Sequence, residues 1–116
     1  MQYLLVIYSN EQAMTSLPAE EATKMTAAYM AYAQALKTAG ALLGANRLKR
    51  TNTASTVRAA SGKTEVLDGP YAETKEQLAG YFLIDVPNLD EALSWAARCP
   101  GAAYGAIEVR PIWPGM

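Results

Sequence analysis

The sequence predicts an α+β domain of the ferredoxin-like type, an antiparallel sheet with two helices on one face, that pairs with a second copy of itself. Segments of strand and helix length follow in the order strand, helix, strand, hairpin, strand, helix, strand, which is two βαβ-like halves around an inserted hairpin. Two of those strands are apolar on both alternating faces. The 116 residues, 51% of them hydrophobic, suffice for one packed core over residues 1–116 without disulfides or metal.

Tyr3 to Tyr8 is an unbroken apolar run ending at Ser9-Asn10-Glu11, the pattern of a strand buried on two sides. A polar loop follows. Ser16 and Pro18 set a helix start, Glu20 and Glu21 favour its first turn, and Gly40 stops it. Ala22, Met25, Tyr29, Tyr32 and Leu36 recur at helical spacing and mark its sheet-facing stripe. A second strand is expected around Ala41 to Ala45, weakened by Gly44, and then comes the basic cluster Arg47, Lys49, Arg50. Thr56 to Ala60 and Lys63 to Leu67 flank Ser61-Gly62, a two-residue hairpin linker. The loop Asp68 to Gln77 leads into Leu78 to Val86, again apolar on both faces. Asn88, with Glu91 three residues on, caps a helix that ends before Pro100-Gly101 and buries Leu89, Ala92, Leu93 and Ala96. A last strand covers Ala106 to Ile112.

A sheet with helices on one face should alternate cleanly, and these two strands do not. Something must cover the second face. A second subunit stacking sheet on sheet would do so and would enclose a cavity, whereas an uncovered apolar sheet invites aggregation.

Composition removes many functions. A net charge of −1 gives no basic excess for a phosphate backbone, so nucleic acid is not expected as a partner. No run approaches the length of a membrane span or a signal peptide, so the expected location is cytoplasmic. The absence of histidine removes the usual neutral-pH base, Ser-His and Cys-His nucleophiles, and His-based metal sites. Cys99 falls near a helix C-terminus, where the dipole opposes a thiolate, and is read as a packed residue. No GxGxxG or P-loop spacing is present, and neither metal nor cofactor is expected.

What remains is Asp68-Gly-Pro-Tyr-Ala-Glu-Thr-Lys-Glu-Gln77, dense in groups that accept, donate and carry charge. Two readings fit it: ordinary Asp-Gly-Pro turn chemistry beside a solvated charged face, or the lining of a cleft. The stretch from Asp68 to Tyr81 resembles the signature of the DGPF branch of the YCII-related proteins. The resemblance extends to Ala31-Tyr32 with Gln34-Ala35-Leu36, to Thr56-Val57-Arg58, to Trp95 through Pro100, and to Ile107 through Pro111. Tyr71 stands where the branch usually has Phe, and Ala79 where Gly is common.

The resemblance implies a dimeric α/β barrel of ferredoxin-like subunits. The His and Asp pair associated with activity in the wider family cannot be carried over to a chain without histidine. Asp68, by its place before Gly-Pro, matches the acidic member. The candidate site therefore has Tyr71, Lys75, Tyr32 and Arg58 holding a small polar or anionic molecule, with or without chemistry; in the case of catalysis Asp68 or Glu73 is the proton-transfer group. Tyr32 also fits core packing, and Arg47, Arg58 and Arg110 also fit a solvated surface; an arginine turned into the barrel would hold a carboxylate or phosphate. The competing expectation, also from the resemblance, is a non-enzymatic accessory or regulatory protein associated with an extracytoplasmic-function sigma factor.

Overall fold

In chain order the elements are β1 (Gln2–Ser9), α1 (Glu11–Thr15), α2 (Ala19–Thr38), β2 (Leu42–Arg47), β3 (Ser55–Ala60), β4 (Lys63–Asp68), β5 (Gln77–Asp85), α3 (Leu89–Arg98) and β6 (Ala106–Pro111). Short 3-10 turns lie at Thr51–Thr53 and Pro100–Ala103. The structure, a computed structural model, describes residues 1–115. Four strands form one antiparallel sheet in the order β2-β5-β1-β6, the ferredoxin-like arrangement, and β3-β4 form a separate hairpin.

Local chemistry sets the boundaries. The segment expected to be a polar loop contains α1, because the Asn10 side chain accepts the Ala13 N–H at 2.9 Å. Thr15 and Ser16 bond back to the carbonyls of Glu11 and Gln12, which ends it. Helix α2 stops at Gly40, which takes a left-handed φ of 70°. Asn88 caps α3 through the Glu91 N–H at 2.9 Å. Ser61 and Gly62 both have positive φ, 50° and 76°, the two-residue hairpin turn that the linker predicts.

Tyr3, Leu5 and Ile7 of β1 and Phe82 and Ile84 of β5 point to the helices, where Tyr32, Leu36, Ala92, Trp95 and Ala96 meet them. Tyr32 is central, packing edge-on to Phe82 with centroids 5.1 Å apart and to Trp95 at 6.0 Å. The expected helix faces need three corrections. Ala22 is exposed, because nothing in the chain lies over the first turns of α2. Leu89 and Leu93 are exposed as well, and the buried residues of α3 are Ala92, Trp95 and Ala96.

Strands β1 and β5 are the central pair, in the register Leu4↔Leu83, Leu5↔Phe82, Val6↔Tyr81. A register shift between Ile7 and Tyr8 passes over Ala79, and another between Leu42 and Gly44 passes over Leu43, in the segment Gly44 was expected to weaken. On the face away from the helices lie Leu4, Tyr8, Tyr81 and Leu83, half-buried, around a buried Val6, and no helix lies over them.

The hairpin stands apart. Val57 pairs with Val66 and both are more than 60% exposed, so neither strand is covered by the rest of the chain. Its base is tied by Gly69 N–H to the Ala54 carbonyl at 2.7 Å and by the Thr56 hydroxyl to the Gly69 carbonyl at 2.8 Å. The molecule is only 18 Å thick with a radius of gyration of 16.1 Å. A compact chain of this length would be nearer about 13 Å.

Gly80 lies where β2 and β5 approach most closely: a Cβ there would stand 2.7 Å from the Asn46 carbonyl oxygen. Gly80→Ala is expected to cost about 1–3 kcal/mol in urea unfolding by pushing β2 off the sheet edge.

Candidate functional site

Four strands bring polar groups to the uncovered sheet face. On β1 and β6 the register sets Val6 opposite Glu108 and Leu4 opposite Arg110, so both charged side chains share the face of the apolar floor. Glu108 Oε2 accepts from Arg110 at 2.9 Å, and the Tyr8 hydroxyl stands 3.4 Å from Glu108 Oε1. On the other side of the floor, the Asn46 amide of β2 donates to the Tyr81 hydroxyl of β5 at 2.8 Å. Tyr81 accepts there, so its own proton remains to be donated. The face thus offers a carboxylate acceptor, a guanidinium donor and two phenols around Leu4, Val6 and Leu83, a combination that holds a small molecule carrying both oxygens and apolar carbon.

The hairpin and its return loop carry most of the residues singled out in the sequence. Asp68 ends β4 opposite Ser55, and Gly69 follows with a φ of 107° that favours glycine. Arg58 lies over the Tyr71 ring at 5.1 Å, a cation–π contact between two exposed side chains. Asp68, Glu73 and Lys75 are exposed, and among the described residues they form no ion pair. The loop closes on itself through the Thr74 hydroxyl to the Glu76 carbonyl and the Gln77 amide to the Thr74 carbonyl at 2.5 Å. Gln77 also accepts the Glu11 N–H at 3.0 Å, fixing the loop to α1. Its last residues therefore reach the Tyr8 end of the sheet, where Glu76 lies beside Gly105 and Ser9.

Tyr32 has a different surrounding. Its ring is buried among Phe82 and Trp95, and its hydroxyl donates to the Trp95 carbonyl at 2.7 Å. It is a packing residue whose hydroxyl satisfies a buried carbonyl. Beside it, burial raises the Tyr29 phenol well above its usual range, with the Cys99 thiol adding to the effect, and raises Tyr32 in the same way. Burial also raises Cys99, whose sulfur lies 4.0 Å from the Tyr29 hydroxyl.

The sequence does not by itself assemble Tyr8, Asn46, Tyr81 and Glu108, and it leaves Arg110 open between a solvated surface and an arginine turned into the barrel. The available signal was the period of two in the last strand, which sets Glu108 and Arg110 on one face. Which face that is depends on strand register. Among the described residues no cluster of three or more acidic or cysteine side chains could hold a metal ion, and no helix is long and apolar enough to cross a membrane.

A sequence model of the YCII-related domain matches residues 1–115. An uncharacterised protein of Rhizobium meliloti (strain 1021) is 40% identical over 114 residues, covering 97% of this chain and 92% of that protein. Among solved structures, the chain is similar to 5-chloro-2-hydroxyhydroquinone dehydrochlorinase (TftG) from Burkholderia phenoliruptrix AC1100, in complex with 2,5-dihydroxybenzoquinone. That similarity has a TM-score of 0.57 at 16% identity and covers 99% of this chain and 96% of the other.

Tyr32→Phe is expected to lower stability by about 1–3 kcal/mol, since it orphans the Trp95 carbonyl, while leaving ligand affinity unchanged. A pure affinity loss in calorimetry would contradict this. Tyr29, Tyr32 and Cys99 bind their protons more tightly folded than unfolded. Their contribution is complete below the unfolded values and is lost as pH rises through them, so the urea midpoint should fall from about pH 8.5 upward. Cys99→Ala should remove the earliest part of that fall.

Proposed function

The chain belongs to the YCII-related family, and from that footing we propose that two copies close their uncovered sheet faces on each other around a small polar or anionic molecule. The observation that carries this reading is the pairing of an apolar floor, Leu4, Val6 and Leu83, with the Tyr8–Glu108–Arg110 chain on the same face. A floor of that kind in water is a liability, and covered by a second copy it becomes the wall of a cavity. Glu108 and Arg110 then bind the polar end of the ligand side by side, and Tyr81 with Asn46 bind its opposite edge.

The Asp68–Gln77 segment forms the rim in this arrangement, since it ends against Ser9 and Gly105 beside Tyr8. Asp68 and Glu73 are its proton-transfer groups, and Tyr71, Arg58 and Lys75 its ligand contacts. The dehydrochlorinase of similar fold, bound to a small dihydroxyquinone, supports the fitness of this fold for compact oxygenated molecules. The protein works as a homodimer in the cytoplasm.

Sedimentation velocity at micromolar concentration is expected to show a dimer, and Leu83→Lys a folded monomer. A wild-type monomer would overturn the reading. Native mass spectrometry of the freshly purified dimer should then reveal a retained small molecule. Arg110→Gln should weaken its binding by about tenfold without dissociating the subunits.

A further inference from the structure

The basic cluster at the end of β2 takes no part in the sheet-face reading. Arg47, Leu48, Lys49, Arg50, Asn52 and Thr53 line an open hollow of about 480 Å³ where β2 runs into the first 3-10 turn. From Glu21 to Glu65 the sequence carries seven of its ten cations and no intervening carboxylate. Along the chain the cluster is therefore uninterrupted by acidic residues, and the carboxylate that reaches its turn in the fold is Glu11, through Thr51. Among the described residues none of its three cations is ion-paired: the salt bridges use the N-terminus, Lys24 and Arg110 instead.

The backbone beneath the cations is pinned. Leu48 N–H bonds to the Ala79 carbonyl at 2.8 Å, and both the amide and the hydroxyl of Thr53 bond to the Arg50 carbonyl at 3.0 and 2.7 Å. Glu11 bonds this turn through Thr51, taking its N–H at 2.7 Å on one carboxylate oxygen and its hydroxyl at 2.8 Å on the other. That carboxylate clamps the turn, with one oxygen on the Thr51 N–H and the other on its hydroxyl, and it makes no ion pair with the arginines or the lysine. A ligand entering the hollow has only side chains to order, which lowers the cost of binding.

We propose that this hollow is a second binding site, separate from the sheet face, for a small multivalent oxyanion of the phosphate class. Two guanidiniums each offer parallel N–H donors to a pair of oxygens, Lys49 adds a compact charge, and the Asn52 amide adds a neutral donor. Three cations around one hollow reward an anion bearing several charges over chloride or a single carboxylate. The volume suits a small molecule. The net charge of −1 means that the rest of the surface repels a long polyanion, so the occupant is a free small anion rather than a nucleic-acid backbone.

The test is a titration of the ¹⁵N-labelled full chain with inorganic pyrophosphate, followed by amide shifts, with sodium chloride at matched ionic strength in parallel. Saturable shifts confined to residues 47–53 and produced by pyrophosphate alone are expected. The double variant Lys49→Gln, Arg50→Gln, both exposed in the folded chain, should weaken binding by about a hundredfold, one decade for each charge-assisted contact removed. Its sedimentation should match wild type, which separates failure here from failure of the sheet-face reading. Shifts that chloride reproduces, binding that the double variant retains, or binding of a short DNA duplex in preference to pyrophosphate would each overturn the proposal.

Discussion

The antiparallel pairing of β1 with β5 is the constraint on which the rest of the molecule depends. Once Leu5 is opposite Phe82 and Val6 opposite Tyr81, alternation sends Tyr3, Leu5, Ile7, Phe82 and Ile84 to the helices and Leu4, Val6, Tyr8, Tyr81 and Leu83 the other way. A slip of one residue would exchange the two sets. The aromatic cluster of Tyr32, Phe82 and Trp95 locks the first set in place, because its rings meet edge to face and its one buried hydroxyl has a partner. The second set then has its composition fixed by the same register, and it is too apolar to be an ordinary solvated face.

The polar groups of the candidate site follow from the flanking strands rather than from a loop. Glu108 and Arg110 are two apart on β6 and so share a face, and pairing with Val6 and Leu4 decides which. Asn46 reaches Tyr81 because β2 approaches β5 closely at Gly80, where a side chain would meet the Asn46 carbonyl. Tyr8 shares the face of Val6 by the alternation of β1, and the shift that passes over Ala79 sets Leu78 of β5 opposite it. The candidate site is thus mounted on the paired strands of the main sheet, while the hairpin forms a sheet of its own, tied at its base by Gly69 and Thr56.

Much of this was legible in the sequence, and the exceptions have physical causes. Continuous apolar runs gave the two central strands, Asn88 gave the cap of α3, and Ser61-Gly62 gave the hairpin turn, because each signal is local. The short helix α1 was missed because its cap, Asn10, and its terminating Thr15 and Ser16 are also loop-forming residues. The exposure of Leu89 and Leu93 was missed because their helical spacing is the same whether or not anything lies beneath them. The site residues on β6 and β2 were hidden for a related reason: spacing says which residues share a face, and only cross-strand register says which face it is. The Asp68–Gln77 segment is visible by its density of charge within one stretch, whereas the polar groups gathered on the sheet face are spread from residue 8 to residue 110.

The central claim, that a second copy covers the open sheet face, is tested most directly by an isotope-filtered NOE experiment on a mixture of methyl-labelled and unlabelled chains. Cross-chain contacts from the Leu4, Val6 and Leu83 methyls are predicted, with none from the helix-facing Leu5 and Ile84. Methyls on the open face that show only contacts within their own chain would contradict it.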